Sequence, residues 1–394
     1  MSVLLLILTL IPTNATSANG LSAQQQAEIE QLEAIGYVSE RPQKDAEKRP
    51  KRGVTVHDAS RTHTGLNLYS SGHGPVAVLI DMEGHVLHRW EHSAADLWPK
   101  AGAKKLSKAK FFRRARLFEN GDLLVIFTGL GLVRLDVKSN VLWKSVRGAH
   151  HDLEVQPNGD IFVLARRARV VRWLNRKKPV LEDFVVITDS NGVEKRRVSV
   201  LEAFRGTPYR RFLRRRRGDV THTNTIRVLD GSIAEQLPAF AAGNVLLSTR
   251  TNSILAVLDM STEKIVWAKV GMFKLQHDPT LLENGNILLF DNGNARRNQS
   301  RALELDPMDM SIVWRYPGAR KDPFFTTCCG LAQRLPNDNT LIVSADTGRA
   351  IEVTRSGEIV WEFLTPHVHM GYVRTLFEFV RLPVDFPTDW ANAN

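Results

Sequence analysis

The sequence predicts an all-β fold, a six-bladed β-propeller with a short N-terminal helical and linker extension. Two interleaved repeats carry that prediction. The first is an apolar strand, a turn opening with Asp or a similar residue, a few polar residues, and a second strand that tends to end in Trp. Six copies run along the chain: VAVLIDMEGHVLHRW (76–90), LVRLDVKSNVLWKS (132–145), FVVITDSNGVEKRRV (184–198), ILAVLDMSTEKIVWAKV (254–270), ALELDPMDMSIVWRY (302–316) and AIEVTRSGEIVWEF (350–363). The third lacks the Trp. The second repeat is a hairpin around Asn-Gly or a similar pair: ARLFENGDLLVIF (115–127), LEVQPNGDIFVLA (153–165), PTLLENGNILLFD (279–291) and AQRLPNDNTLIVS (332–344). A fifth hairpin, 226–249, carries a long insertion. One hairpin plus one two-strand unit makes four strands, the content of a propeller blade, and a two-domain sandwich would not keep this period. Asn-Gly between apolar runs is read as a type I′ turn, because both residues tolerate positive φ.

The chain opens with an apolar run, VLLLILTLI (3–11), followed by small residues. Nine apolar residues are too few for a spanning helix and match the core of an export signal, although no positive charge precedes them. Residues 1–20 are therefore expected to be a signal peptide, which places the protein in the periplasm or outside the cell; an uncleaved short anchor is the alternative. Ala23 to Ile35 holds good helix formers with Ile29, Leu32 and Ile35 on one side and Gly36 as C-cap. A charged, Pro-containing linker follows, so 21–53 reads as helix and linker and 54–394 as the propeller. GLNLYSS (65–71) is expected to supply an inner strand of the first blade, and TLFEFVRLPVDF (375–386) to close the ring against it.

An apolar content of 43% is that of a globular chain, and a formal charge of +11 points to anionic partners or membrane surfaces without bearing on fold. The densest basic run, RGTPYRRFLRRRR (205–217), lacks the interleaved stacking aromatics of a nucleic-acid motif, so no nucleic acid is expected. Nor is a stable membrane span. The two cysteines, Cys328 and Cys329, are adjacent; they admit only a strained vicinal disulfide or two free thiols.

The first strand of each blade lines the channel, so residues at one offset from the hairpin turns share a position. Seven before the turn Asn stand His151, His277, Arg113 and Gly330; His222 sits eight before Asp230 in the inserted blade, one off register. Three blades thus present a histidine near one axis, with Asp152, Asn224 and Asp278 close by in sequence. Three imidazoles can bind a metal or act as nucleophile and general acid–base, and the pattern alone leaves both open. Arg296 and Arg297 after FDNG, and Arg250 in STRTNS, supply forked donors suited to a tetrahedral oxyanion.

Taken in order, GVTVHD, GLNLYSS, HHDLEVQPNG, DVTHTN, STRTNSILAVLD, QHDPTLLENGNILLFDNG, AQRLPNDNTLIVS and EVTRSGEIVWEF make the chain resemble the bacterial arylsulfotransferase family from about Gly53 to Trp390. The resemblance implies a six-bladed periplasmic propeller that transfers a sulfuryl group from an aryl sulfate to a phenol through a sulfohistidine, with no nucleotide donor and no cofactor. It implies that His222 and His277 match two site histidines and that Arg296 or Arg297 matches the site arginine. The family's nucleophilic histidine falls in the last blade, at SADTGRAIEV, where this chain has Arg349 and no histidine. His151 or His277 then substitutes, or the chemistry differs, or the protein is a binding propeller for a ligand or protein partner. A metal or quinone enzyme built on the histidines is the remaining alternative.

Overall fold

A computed structural model describes residues 21–35 and 51–392, apart from 215, 272, 294–298 and 319–324. Six antiparallel sheets surround a common channel, as the repeats predict. From the channel outward, blade 2 runs Ala115–Leu117, Leu123–Phe127, Gly131–Leu135 and Val141–Ser145; blade 3 runs Ala149–Val155, Ile161–Arg169, Val180–Thr188 and Glu194–Ser199. Blade 4 runs Thr223–Val228, Val245–Thr249, Ile254–Asp259 and Lys264–Val270, and blade 5 His277–Leu281, Ile287–Asp291, Arg301–Leu305 and Ile312–Tyr316.

The ring is closed twice. In blade 1 the C-terminal strand Leu376–Arg381 is innermost and pairs with Asn67–Ser71, which precedes Val76–Ile80 and Val86–Glu91. Residues 65–71 therefore give the second strand of that blade, not the inner one, because 376–381 occupies the channel-side edge. In blade 6 the order is Leu331–Arg334, Thr340–Ser344, Arg349–Val353 and Ile359–Leu364, and Gly53–His57 adds a fifth, outermost strand. Both chain ends are thus spent on covering sheet edges.

The recurring Trp has a physical role between blades. An indole buries a large apolar ring but must place its N–H. Trp90 of blade 1 donates to Gly121 O of blade 2 at 3.0 Å, Trp314 of blade 5 to Arg355 O of blade 6 at 2.9 Å, and Trp361 of blade 6 to Met82 O of blade 1 at 3.0 Å. In blade 3 the turn glycine Gly192 (φ 78°) lies under Trp143 of blade 2, where a Cβ would come within 2.7 Å of the ring. Between blades 5 and 6 the core is Leu288, Phe290, Ala332, Ile342 and Ile351.

The Asn-Gly hairpins differ from the expected type I′ turn. Gly285 N donates to Leu282 O and Leu282 N to Asn286 O, both at 2.8 Å, and only Gly285 has positive φ (83°) while Asn284 does not. This is the longer loop in which a type I turn is followed by a left-handed residue. Asp338 (φ 65°) takes that position in blade 6. The insertion of blade 4 is closed by Leu229 N donating to Asn244 O at 2.8 Å and is anchored by buried Phe240 against Trp267.

The N-terminal helix spans Ala23–Glu33, capped by Ser22 and Gln25 in a reciprocal capping box. Its Ile29, Leu32 and Ile35 rest on Ala168 and Leu181 of blade 3. The expected C-cap Gly36 and most of the linker lie outside the described residues. Among the described residues no helix is long and apolar enough to cross a membrane.

Candidate active site in the channel

The inner strands of blades 3, 4 and 5 each bulge where the site residues stand. Val163 pairs with Leu153 but Ala165 with Ala149; Thr223 and Thr225 flank an extra Asn224; His277 pairs with Phe290 but Thr280 with Leu288. A bulge re-aims side chains, and here it needs left-handed backbone at His151 (φ 53°), His222 (φ 47°) and Asp278 (φ 55°).

His151 and His222 come together, with ring centroids 4.9 Å apart. His150, which the sequence reading passed over, puts its Nδ1 2.8 Å from His151 Nδ1. His277 joins them electrostatically: the positive ends of Arg113 and Arg250 and the rings of His222 and His151 act on one another across the same space. Burial, then Arg113 and the neighbouring imidazoles, holds His151 well below the usual histidine range; burial, then Arg250 and Arg113, does the same to His277. His150 is lowered by burial and by Arg166. These three imidazoles are therefore held toward the neutral form beside permanent guanidinium charge.

Two imidazoles of the cluster have a set tautomer. Asp219 Oδ2 lies 2.5 Å from His222 Nδ1, and Asp219 Oδ1 also accepts from His222 N at 3.1 Å. A carboxylate accepts, so Nδ1 carries the proton and Nε2 keeps its lone pair. Burial lowers His222, against the pull of Asp219. For His277, Nδ1 meets Asn292 Oδ1 at 2.6 Å, while Asn292 Nδ2 donates to Cys329 O (2.8 Å) and Thr326 O (3.0 Å). Both amide hydrogens of Asn292 are thus committed, its oxygen must accept, and His277 Nε2 is likewise a base. Asp183, 3.4 Å from His150 Nε2, is pushed up to about 7 by burial and by Asp219.

Blade 6 contributes the two cysteines instead of a histidine. Their sulfurs are 3.3 Å apart, Cys328 Sγ donates to Asp346 Oδ1 at 3.3 Å, and Cys329 (φ 58°) precedes Gly330, where a Cβ would strike Phe290 at 2.4 Å. Both are free thiols. The hydrogen-bonding contact with Cys328, aided by Arg113 and Arg250 against burial, brings Cys329 down to about 7. Thr327 O accepts from Arg250 Nη2 at 3.1 Å, so the cysteine loop also positions this arginine.

One residue deeper, the adjacent acids go elsewhere. Arg114 Nε binds Asp152 at 2.7 Å, and its other nitrogens reach Glu378 (3.2 Å) and Asp278 (3.3 Å). Arg227 binds Asp152 at 2.6 Å and Asp278 at 2.5 Å. This girdle ties blades 1 to 5, and Ala332 N of blade 6 donates to Asp278 at 3.3 Å. It borders a cavity of ≈ 680 Å³ lined also by Arg334 and Arg381. Asp152 and Asp278 are therefore ion-pair partners, not orienting groups for the histidines.

The remaining expected residues separate from the cluster. Asn224 is buried and its Nδ2 donates to Gln276 O at 2.8 Å, joining blades 4 and 5. Arg349 opens the third strand of blade 6 and its Nε donates to Glu362 at 2.6 Å. Arg296 and Arg297 lie outside the described residues. Asp219, Asn292 and His150 were missed; DxxH in DVTHTN and the doubled histidine before Asp152 were the available signals. Among the described residues no group of three or more His, Cys, Asp or Glu is arranged to hold a metal ion.

A family model described as Arylsulfotransferase (ASST) matches residues 114–365, more than half of the chain and all five inner hairpins of blades 2 to 6. The chain belongs to the arylsulfotransferase family. The match takes in every histidine of the cluster and the cysteine loop. No curated protein is a match for the chain. Among solved structures, a protein of unknown function from Bacteroides caccae aligns with a TM-score of 0.52 at 12% identity, covering 80% of this chain and 98% of that one, which supports the fold alone. The propeller domain of Cps50 (Swd1) from Myceliophteria thermophila (TM-score 0.45, 13% identity, 80% and 86% covered) and virginiamycin B lyase from Staphylococcus aureus (0.37, 11%, 64% and 69%) are more distant still. An arylsulfotransferase chain of this kind acts on small molecules, and the channel cluster is where its family and its geometry coincide.

Proposed function

We propose that this arylsulfotransferase moves a sulfuryl group from an aryl sulfate to a phenol, with His222 as the nucleophile. The observation that carries the assignment is the Asp219–His222 pair at 2.5 Å, whose imidazole has a 14% exposed side chain while His150, His151 and His277 are buried. A nucleophile has to meet substrate with a free lone pair, and a third group has to orient it. His222 Nε2 attacks sulfur, an N–S bond forms, the S–O bond to the aryl oxygen breaks, and the donor leaves as a phenolate. The acceptor phenol then attacks sulfur, the N–S bond breaks, and the acceptor's proton passes to His277 Nε2. Arg113 and Arg250 face the sulfuryl oxygens, and fixed cations in a water-poor site stabilise charge as it builds. The apolar run at 3–11 supports export as part of the same reading.

The test is release of p-nitrophenolate from p-nitrophenyl sulfate, dependent on an added phenol and lost in His222→Ala. No turnover across a broad panel of aryl sulfates and phenols overturns the proposal.

A further inference from the structure

The strongest unabsorbed feature is the basic run at 205–217, and its placement concerns a partner and not the chemistry. Blade 3 carries the longest hairpin of the ring, with Ile161–Arg169 and Val180–Thr188 each nine residues long. The basic run folds back along its tip. Asn175 Nδ2 donates to Arg216 O at 2.9 Å, Gly218–Asp219 pairs with Val180 and Leu181, and the Arg210 guanidinium sits 5.0 Å over the Trp173 ring. Two separate stretches of sequence thereby form one cationic edge, with Arg172, Arg176 and Lys177 from the tip and Arg211, Arg214 and Arg217 from the run, all exposed. Of the acidic side chains beside it, Glu28 binds Lys178, Glu202 binds Arg205 and Glu33 binds Lys105, while Glu30 shares a surface pocket with Arg172, Trp173 and Arg176.

The N-terminal helix starts at this same edge. Gln25 Nε2 donates to Lys177 O at 3.0 Å, which fixes the first turn of the helix against the hairpin tip that carries Arg172 and Arg176. We infer that the blade 3 edge docks the protein on an anionic lipid bilayer. Trp173 supplies the half-buried aromatic common at such interfaces, and each arginine or lysine held near an anionic membrane surface contributes about 1 kcal/mol, or about fivefold in affinity. Docking there holds the neighbouring Asp219–His222 mouth close to the lipid surface.

Co-sedimentation of the full chain with vesicles of phosphatidylcholine alone, or of phosphatidylcholine mixed with phosphatidylglycerol, tests the inference. Binding is expected only with the anionic lipid, weakening as salt rises. The triple variant Arg211→Ala, Arg214→Ala, Arg217→Ala is expected to lose roughly 100-fold in vesicle affinity and to keep its circular dichroism and its aryl sulfate turnover. Removing three exposed cations from other blades, Lys138→Ala, Lys264→Ala, Arg315→Ala, is expected to change binding little. Equal losses in the two triple variants, equal binding to neutral vesicles, or tighter binding to a sulfated polysaccharide than to anionic vesicles would each overturn it.

Discussion

Two layers of the channel, one residue apart in sequence, handle charge in opposite ways. Arg113, His151 and His277 belong to the upper layer; Arg114, Asp152 and Asp278 belong to the lower. In the lower layer two guanidiniums meet three carboxylates, and each charge is answered at hydrogen-bond distance. In the upper layer Arg113 and Arg250 face imidazoles that burial holds toward the neutral form, and the nearest carboxylate, Asp219, is engaged by His222 and not by either guanidinium. The comparison teaches that adjacent His-Asp pairs in a sequence need not be catalytic dyads. The bulges send the two side chains to different layers, and the carboxylate that orients a histidine, Asp219, comes from three residues upstream in another blade.

Substitutions should separate the layers. His222→Ala is expected to lower kcat/KM by on the order of 10⁴-fold or more, with little change in melting temperature. Asp278→Ala leaves Arg227 and Arg114 short of a buried partner and should cost about 3–5 kcal/mol of stability, read by denaturant unfolding, with turnover per folded molecule nearly retained. A large rate loss in the lower-layer variant with no loss of stability would break the division. Asn292→Ala frees the His277 ring, and about 10- to 100-fold in kcat is expected to go, as for an unpaired buried group.

The smallest effect is in pH dependence. Buried imidazoles whose folded pKa lies below the unfolded 6.5 stay neutral while the unfolded chain takes up protons. Stability is therefore unaffected above pH 6.5 and falls as pH drops below it. The acid limb of kcat/KM should also lie below 6.5, since His222 and His277 act as free bases; a limb at or above that value contradicts their assigned protonation.

The ring was legible because strand repeats with Trp and hairpin turns have a fixed period, and closure by residues 376–381 followed from the need to cover an edge. The order of the first blade was not, because Asn67–Ser71 and a channel-side strand read alike without knowing their partner. For the site, the register pointed to His151, His277 and Arg113. It could not show Asn292, which acts through backbone carbonyls of the cysteine loop, nor that Asn224 spends its amide on Gln276. Those roles depend on which blade packs next to which.

The most direct test of the central assignment is to mix the enzyme with an aryl sulfate and no acceptor, quench under alkaline conditions, and locate the added sulfuryl group by peptide mass spectrometry. A single sulfuryl group on the peptide carrying His222, absent in His222→Ala, is the predicted result. The group on His151, His277 or Cys329, or no labelled peptide in an enzyme that still turns over, would contradict it.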